Sequence, residues 1–189
     1  MATELNFDII KSIFPNGKLT QKQINGIKFI HHGTADWLNT NYTAYALATT
    51  FHETAFTMEP IVERGPKSYF LKYEPNTRIG RDLGNKKKGD GYLFRGRGYV
   101  MITGLSNYTK FNIANSPDEA LNPNKALEIL KLGMYMGKFT GRKLWDYNKP
   151  NNDYDFIKAR AIINGKDKAE KIAGYAEVFK SAFGGALNA

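Results

Sequence analysis

Cysteine is absent from the 189-residue chain, so disulfides, thiolate metal sites and thiol nucleophiles are all excluded and the fold must be held by packing alone. Histidine is scarce, with only His31, His32 and His52. His52-Glu53 lacks the second histidine, four residues after the first, that a zinc-protease helix requires; position 56 is Phe. No metal or other cofactor is therefore expected. No apolar run reaches the roughly 18–20 residues of a membrane-spanning helix. The opening MATELNFDIIKSIFPNGKLT places acidic residues before short apolar stretches and lacks the basic segment and long apolar core of a secretory signal. Repeats and low-complexity linkers are missing as well. These absences lead to an expectation of one domain over 1–189, with a core either single or divided between two lobes and no separate binding module.

Positive charge is abundant. Lysine and arginine number 27 against 18 acidic residues, a formal charge of +9, which favours polyanionic partners: nucleic acid, anionic membrane or an acidic cell-wall polymer. Between Glu59 and Gly98 the balance is ten basic to five acidic residues, so the excess is concentrated in the middle of the chain. Nucleic-acid binding has charge in its favour but no helix-turn-helix, zinc or RRM signature. A membrane-active protein would need a strongly amphipathic basic helix, which 166–183 supplies only weakly. Neither nucleic acid nor stable membrane insertion is expected, and the chain reads as a monomer.

Helical periodicity is strongest at the two ends. After the Pro15-Asn16-Gly17 turn, Thr20 and Gln23 have capping-box spacing, and Ile24, Ile27, Phe29 and Ile30 predict a helix to about His31. Residues 43–57, TAYALATTFHETAFT, predict a second, mostly buried helix whose polar positions cluster where the core opens. From Pro60 to about Gly104 no long helical period survives; KKKGDG at 86–91 reads as an exposed loop, and Tyr99–Thr103 as a short strand or an extended buried connection. Ser116-Pro117-Asp118-Glu119 has the look of a cap, Leu127 to Phe139 lie in a buried helix, and 153–163 and 167–183 predict two more, separated by the Asn164-Gly165 turn. The final GGALNA is expected to fray. The glycines of GDGYLFRGRGYV match neither dinucleotide nor P-loop spacing.

Chemistry concentrates in TTFHETAFTMEPIVERG at 49–65. Glycosidic hydrolysis uses two carboxyl groups, one protonated to serve the leaving oxygen and one ionised as base or nucleophile. Glu53, in an apolar helix where desolvation would raise its pKa, suits the acid role; as a bland alternative it is a charge at the helix's exposed edge. Glu63, beyond Pro60, can face it from another element, or form a surface ion pair with Arg64 or Lys67. Glu59 and Glu74 are weaker rivals for the second position. Thr103, Asn107 and Asn164 offer hydrogen-bonding groups for sugars, and Asn164 equally suits a structural cap. Tyr108 and the other aromatic residues of 69–108 either stack on sugar rings or fill core space.

HETAFTMEPIVERG, YFLKYE, GDGYLFRGRGYVMITGLSNY and ARAIINGKDKA together resemble glycoside hydrolase family 19, the chitinase type, and within it the phage lysins that share its catalytic domain. The resemblance spans about residues 19–180. It implies a mainly α, lysozyme-like, two-lobed helical domain with a small irregular or β-containing central region, acting on a β-1,4-linked N-acetyl sugar polymer. It further implies Glu53 as general acid, Glu63 as general base, and substrate contacts from Thr103, Asn107, Tyr108 and Asn164. Family members invert the anomeric centre, which needs roughly 6.5–9.5 Å between the carboxyl groups. Met101 departs from the glutamine usual at that place, and the stretch between the glutamates is shorter than in plant chitinases. The lysin branch implies an N-acetylmuramidase whose partner is bacterial peptidoglycan, held in the host cytoplasm until a separate lysis component releases it to the wall. Chitin is the alternative substrate. Arg64, Lys67, Arg78, Arg81, Lys86, Lys87, Lys88, Arg95 and Arg97 are candidates for attraction to an acidic wall.

Overall fold

The computed structural model describes residues 4–184, so the predicted fraying of GGALNA falls almost wholly outside the described residues. In chain order the α-helices are α1 (Phe7–Ile10), α2 (Gln21–Gly33), α3 (Thr40–Glu53), α4 (Arg78–Asp82), α5 (Asp90–Leu93), α6 (Leu105–Lys110), α7 (Pro123–Tyr135), α8 (Phe156–Ala159) and α9 (Ala169–Ser181). Two short strands, β1 (Ile61–Val62) and β2 (Arg97–Gly98), pair antiparallel with Ile61 opposite Gly98 and Val62 opposite Arg97. The protein is mainly helical with a small β-containing middle, as the sequence indicates. Among the described residues no helix is long and apolar enough to cross a membrane. The chain forms two compact units, one from residues up to Met58 and from Lys131 onward, the other from Glu59 to Leu130.

The first unit is built around α3. Every residue from Asn41 to Phe51 is buried, and the small side chains of Ala44, Ala46 and Ala48 leave room for neighbouring helices to come close. α9 supplies Ile172, Ala173, Ala176 and Phe179 at helical spacing, and α2 adds Ile27 and Ile30. Phe51 is the hub: its ring meets Phe14 at 4.7 Å, Phe56 at 4.6 Å and Tyr175 at 4.7 Å. The Thr20 capping box is present, with Gln23 Oε1 accepting from the Thr20 amide at 2.8 Å. Gln23 Nε2 also donates to the Phe56 carbonyl at 2.9 Å, tying the start of α2 to the turn that follows α3.

That turn comes earlier than the sequence suggests. α3 begins at Thr40 and stops at Glu53 instead of running to 57, because Ala55, Phe56 and Met58 take left-handed backbone angles (φ 49, 71 and 59). Thr54 fixes the break: its hydroxyl donates to the Thr50 carbonyl at 2.7 Å and accepts from the Met58 amide at 3.1 Å. Gly26 on α2 permits this arrangement, since a Cβ there would collide with the Met58 carbonyl. Glu53 is consequently the last helical residue.

In the second unit, Lys67–Tyr73 forms a 3-10 helix that packs against α5. The alternation at Tyr99–Thr103 is a tight turn and not a strand; Arg97 and Ile102 exchange backbone hydrogen bonds at 3.2 and 3.0 Å across it. Tyr99, Val100 and Ile102 are all buried, which no two-faced strand would require. Asp90, within the predicted exposed loop, is buried and accepts from the amides of Lys86 and Lys87 at 2.7 and 2.9 Å, while the three lysines stay in solvent. α7 starts directly at Pro123 and ends at Tyr135, short of Phe139, which fills the space beside Gly133. The segment predicted as one helix over 153–163 is a single turn, α8, continued as a 3-10 turn at Arg160–Ile162.

Because Phe51 joins three aromatic neighbours in a fully buried position, Phe51→Ala should lower the unfolding free energy by about 3–5 kcal/mol. Denaturant unfolding followed by tryptophan fluorescence measures it; a loss below about 1 kcal/mol would contradict the placement of the core.

Candidate active site

Glu53 ends α3 with its side chain 18% exposed, and its Oε1 accepts from Arg160 Nη2 at 2.8 Å. The Arg160 side chain is only 2% exposed. A guanidinium so enclosed needs fixed partners, because the desolvation cost of a lone charge amounts to several kcal/mol. Arg160 finds Glu53 through Nη2 and the Asp167 carbonyl through Nε at 2.8 Å. Its Nη1 is buried with no partner among the described residues. The 160–167 turn wraps this side chain: the Asn164 amide donates to the Arg160 carbonyl and the Asp167 amide to that of Asn164. Asn164 itself is exposed, in the same unit as Glu53.

Tyr45 lies close enough to feel both charges. Burial above all pushes its phenol well above the usual range, with Thr49 and the Arg160 cation pulling the other way. His52 is held below the ordinary histidine range, chiefly by burial; Glu53 opposes that, and Arg160 and Lys171 reinforce it. At neutral pH His52 is therefore an uncharged neighbour of Glu53. Among the described residues no three His, Asp or Glu side chains gather as a metal-ligand set.

Glu63 occupies the second unit, immediately after β1, and is half-buried. Its Oε2 accepts from the Gly96 amide at 3.0 Å and its Oε1 from the Tyr73 hydroxyl at 3.1 Å. The Glu63 amide donates back to the Gly96 carbonyl at 2.8 Å. Glycine at 96 makes this approach possible, since a Cβ there would press on the Met101 methyl and on Glu63 itself at 3.0 and 3.2 Å. Tyr73 is kept protonated by burial first and by the charge of Glu63, so it remains a donor. The carboxylate is thus aimed by two donors on different parts of the unit.

Thr103 and Asn107 belong to this unit and are joined to each other: Asn107 Nδ2 donates to the Thr103 carbonyl at 2.8 Å, and the Thr103 hydroxyl donates to the Met101 carbonyl at 2.9 Å. Tyr108 behaves differently. It is fully buried, donates to the Arg95 carbonyl at 2.6 Å and accepts from Arg97 at 3.0 Å, and offers no surface on which a sugar could stack. Arg97 also departs from expectation: its side chain is 3% exposed and spends its charge on Asp118 and on the Leu93 and Arg95 carbonyls, so it is a strut of the unit and not part of a basic surface. Glu74 is committed to the amides of Gly89 and Gly91 at 2.8 and 3.2 Å. Glu59 is exposed.

Arg160 is the functional-site residue that sequence reasoning passed over, although its stretch, ARAIINGKDKA, carries the resemblance. Its pairing with Glu53 carries no local signal, because the two residues lie more than a hundred positions apart in the chain.

The chain is 36% identical over 77 residues to a glycosyl hydrolase family 19 domain-containing protein of Haemophilus influenzae, a match covering 39% of this chain and 36% of that protein. The chain thus matches little more than a third of its relative's length. No family profile matches the chain.

Removing the guanidinium leaves Glu53 without its partner and a void in the core, so Arg160→Ala should cost about 3–5 kcal/mol of stability. Equal denaturation midpoints for wild type and variant would refute the pairing. A second expectation concerns acid. His31 and His52 both have pKa values lowered on folding, mainly by burial, so the unfolded chain binds more protons than the native one as pH falls below the unfolded histidine value of about 6.5. Their stabilising contribution is complete above that value and declines as pH drops toward their folded values. Denaturant midpoints measured from neutral to mildly acid pH should fall, and His31→Asn with His52→Asn should flatten that fall; an unchanged slope in the double variant would contradict the assignment.

Proposed function

We propose that this chain is a glycoside hydrolase of the chitinase type, cleaving β-1,4 bonds in a polymer containing N-acetylglucosamine. What carries the reading is that the two carboxylates marked by the sequence pattern are each half-buried and oriented by donors within their own unit, in a chain with partial similarity to a family 19 domain. Glu53 serves as general acid. Arg160 fixes its Oε1, which leaves Oε2 to deliver a proton to the leaving oxygen. Glu63 serves as general base, its two oxygens aimed by Tyr73 and Gly96, and draws a proton from the water that attacks the anomeric carbon. The C–O bond to the leaving sugar breaks as the water oxygen bonds, and the single displacement inverts the centre. Thr103, Asn107 and Asn164 supply sugar contacts.

The partial similarity to a family 19 domain supports the chitinase-type reading over the narrower muramidase one. Peptidoglycan stands as the second substrate because the net charge of +9 favours an anionic polymer, which chitin is not.

Glu53→Gln keeps an amide oxygen for Arg160 to hold but gives up its counter-charge, so it should fold with reduced stability and lose roughly 100- to 10,000-fold in turnover. Reducing ends released from chitin oligosaccharides and from purified peptidoglycan, with anomers resolved by NMR, test the proposal for wild type, Glu53→Gln, Glu63→Gln and Glu59→Gln. Wild-type rates in folded Glu53→Gln reject the acid, a β anomer formed first rejects inversion, and loss confined to Glu59→Gln moves the base.

A further inference from the structure

The first unit holds a cavity of about 890 Å³ that none of the predicted site residues lines. Its rim carries Arg142, Lys158, Lys166, Lys168 and Lys171 against one carboxylate, Glu170. Lys158 has a counter-ion in Asp155 at 3.4 Å. The other four cations have no carboxylate within ion-pair distance among the described residues. Gathering like charges around one concavity is unfavourable in the empty protein, and a bound anion relieves that repulsion. Four of the lining residues, Lys168 to Lys171, span the start of the 13-residue helix α9, whose positive end adds to the same potential.

The walls are not polar throughout. Ile157, Ala161, Ala169 and the ring of Tyr147 give the cavity apolar surface between the cations. Its volume falls in the range of pockets that enclose a ligand of several small residues. Four of the five cations are lysines, compact point charges that serve separate anionic groups, where a single phosphate would draw a bidentate arginine fork. Lys171 links the cavity to the candidate active site, since its charge is felt by His52, next to Glu53.

We propose that this cavity binds a short peptide carrying two or more carboxylates and small apolar side chains, the chemistry of the stem peptides attached to a peptidoglycan glycan. The assignment of that peptide to a substrate rests on the glycan-hydrolase reading above and narrows it: a peptide-substituted polymer is held by its acidic side chains as well as by its sugars, whereas chitin has nothing to offer these lysines. The site is electrostatic in affinity and apolar in fit, so binding weakens with salt. The Debye length shrinks from roughly 10 Å at 0.1 M to 3 Å at 1 M.

The test uses the unaltered protein, since a glycosidic-bond hydrolase leaves a free peptide uncut. Calorimetric titration with the N-acetylated tetrapeptide Ala-Glu-Ala-Ala, free at its C-terminus, is compared with its N-acetylated, Gln-containing, C-terminally amidated analogue. The dicarboxylate should bind at least about tenfold more tightly than the neutral peptide, lose affinity at high salt, and lose it again in Lys166→Gln/Lys168→Gln. Both substitutions are at exposed positions, and an unchanged denaturation midpoint verifies the fold. A further variant, Ala161→Trp, should block the cavity sterically while leaving every charge in place. Equal affinity for the two peptides, or undiminished dicarboxylate binding in both folded variants, overturns the proposal. Tighter binding of inorganic phosphate or a short oligonucleotide than of the dicarboxylate also overturns it. Peptide binding as expected, alongside no cleavage of any glycan by the wild-type protein, overturns the hydrolase reading alone.

Discussion

The contact between Arg160 and Glu53 is the interaction on which the first unit depends. A guanidinium 2% exposed is tolerable only with partners fixed before it arrives. α3 must therefore end where Glu53 can meet it, and the 160–167 turn must present the Asp167 carbonyl to the arginine Nε. The left-handed residues after Glu53, the Thr54 hydroxyl and the Gln23 amide that holds the Phe56 carbonyl all serve that ending. One ion pair thus ties a helix terminus to a loop more than a hundred residues away, and the apolar packing of α3 against α9 supplies the rigidity that makes the pair geometrically exact enough to offset its desolvation.

The second unit solves a similar problem with different means. Its buried cation, Arg97, is satisfied within the unit by Asp118, two carbonyls and the Tyr108 hydroxyl, and so braces the segments that carry Glu63, Thr103 and Asn107. Among the described residues no cation pairs with Glu63. A phenol and a backbone amide aim it, which leaves its charge unneutralised by a partner ion. Glu53 is thus gripped at one oxygen by arginine, whereas Glu63 is cradled by neutral donors.

Local rules made much of this legible in advance. Thr20 and Gln23 announced their capping box because cap chemistry is confined to one turn. Glu53 stood out because a charge in an apolar helix demands an explanation from within the sequence. The end of α3 is not legible in the sequence because a left-handed turn at Ala55, Phe56 and Met58 uses none of the glycine or asparagine that normally signals one; it is accommodated by close packing against Gly26. The alternation at Tyr99–Thr103 imitated a strand because both faces of a buried turn are apolar, and period alone does not separate the two.

What the sequence determined by itself was therefore what nearest neighbours decide: helix starts, turns, the apolar identity of α3 and the residue types available for chemistry. Tertiary structure decided which charges are spent. Arg97 and Arg81 look equally basic in the chain, yet the first is enclosed and the second exposed; Glu63 and Glu74 look equally acidic, yet Glu74 is consumed in holding the Gly89 and Gly91 amides. The physical reason is that a side chain's solvation and partners are set by residues distant in sequence. The partner of Glu53 lies at position 160, and no local pattern around either residue specifies the other.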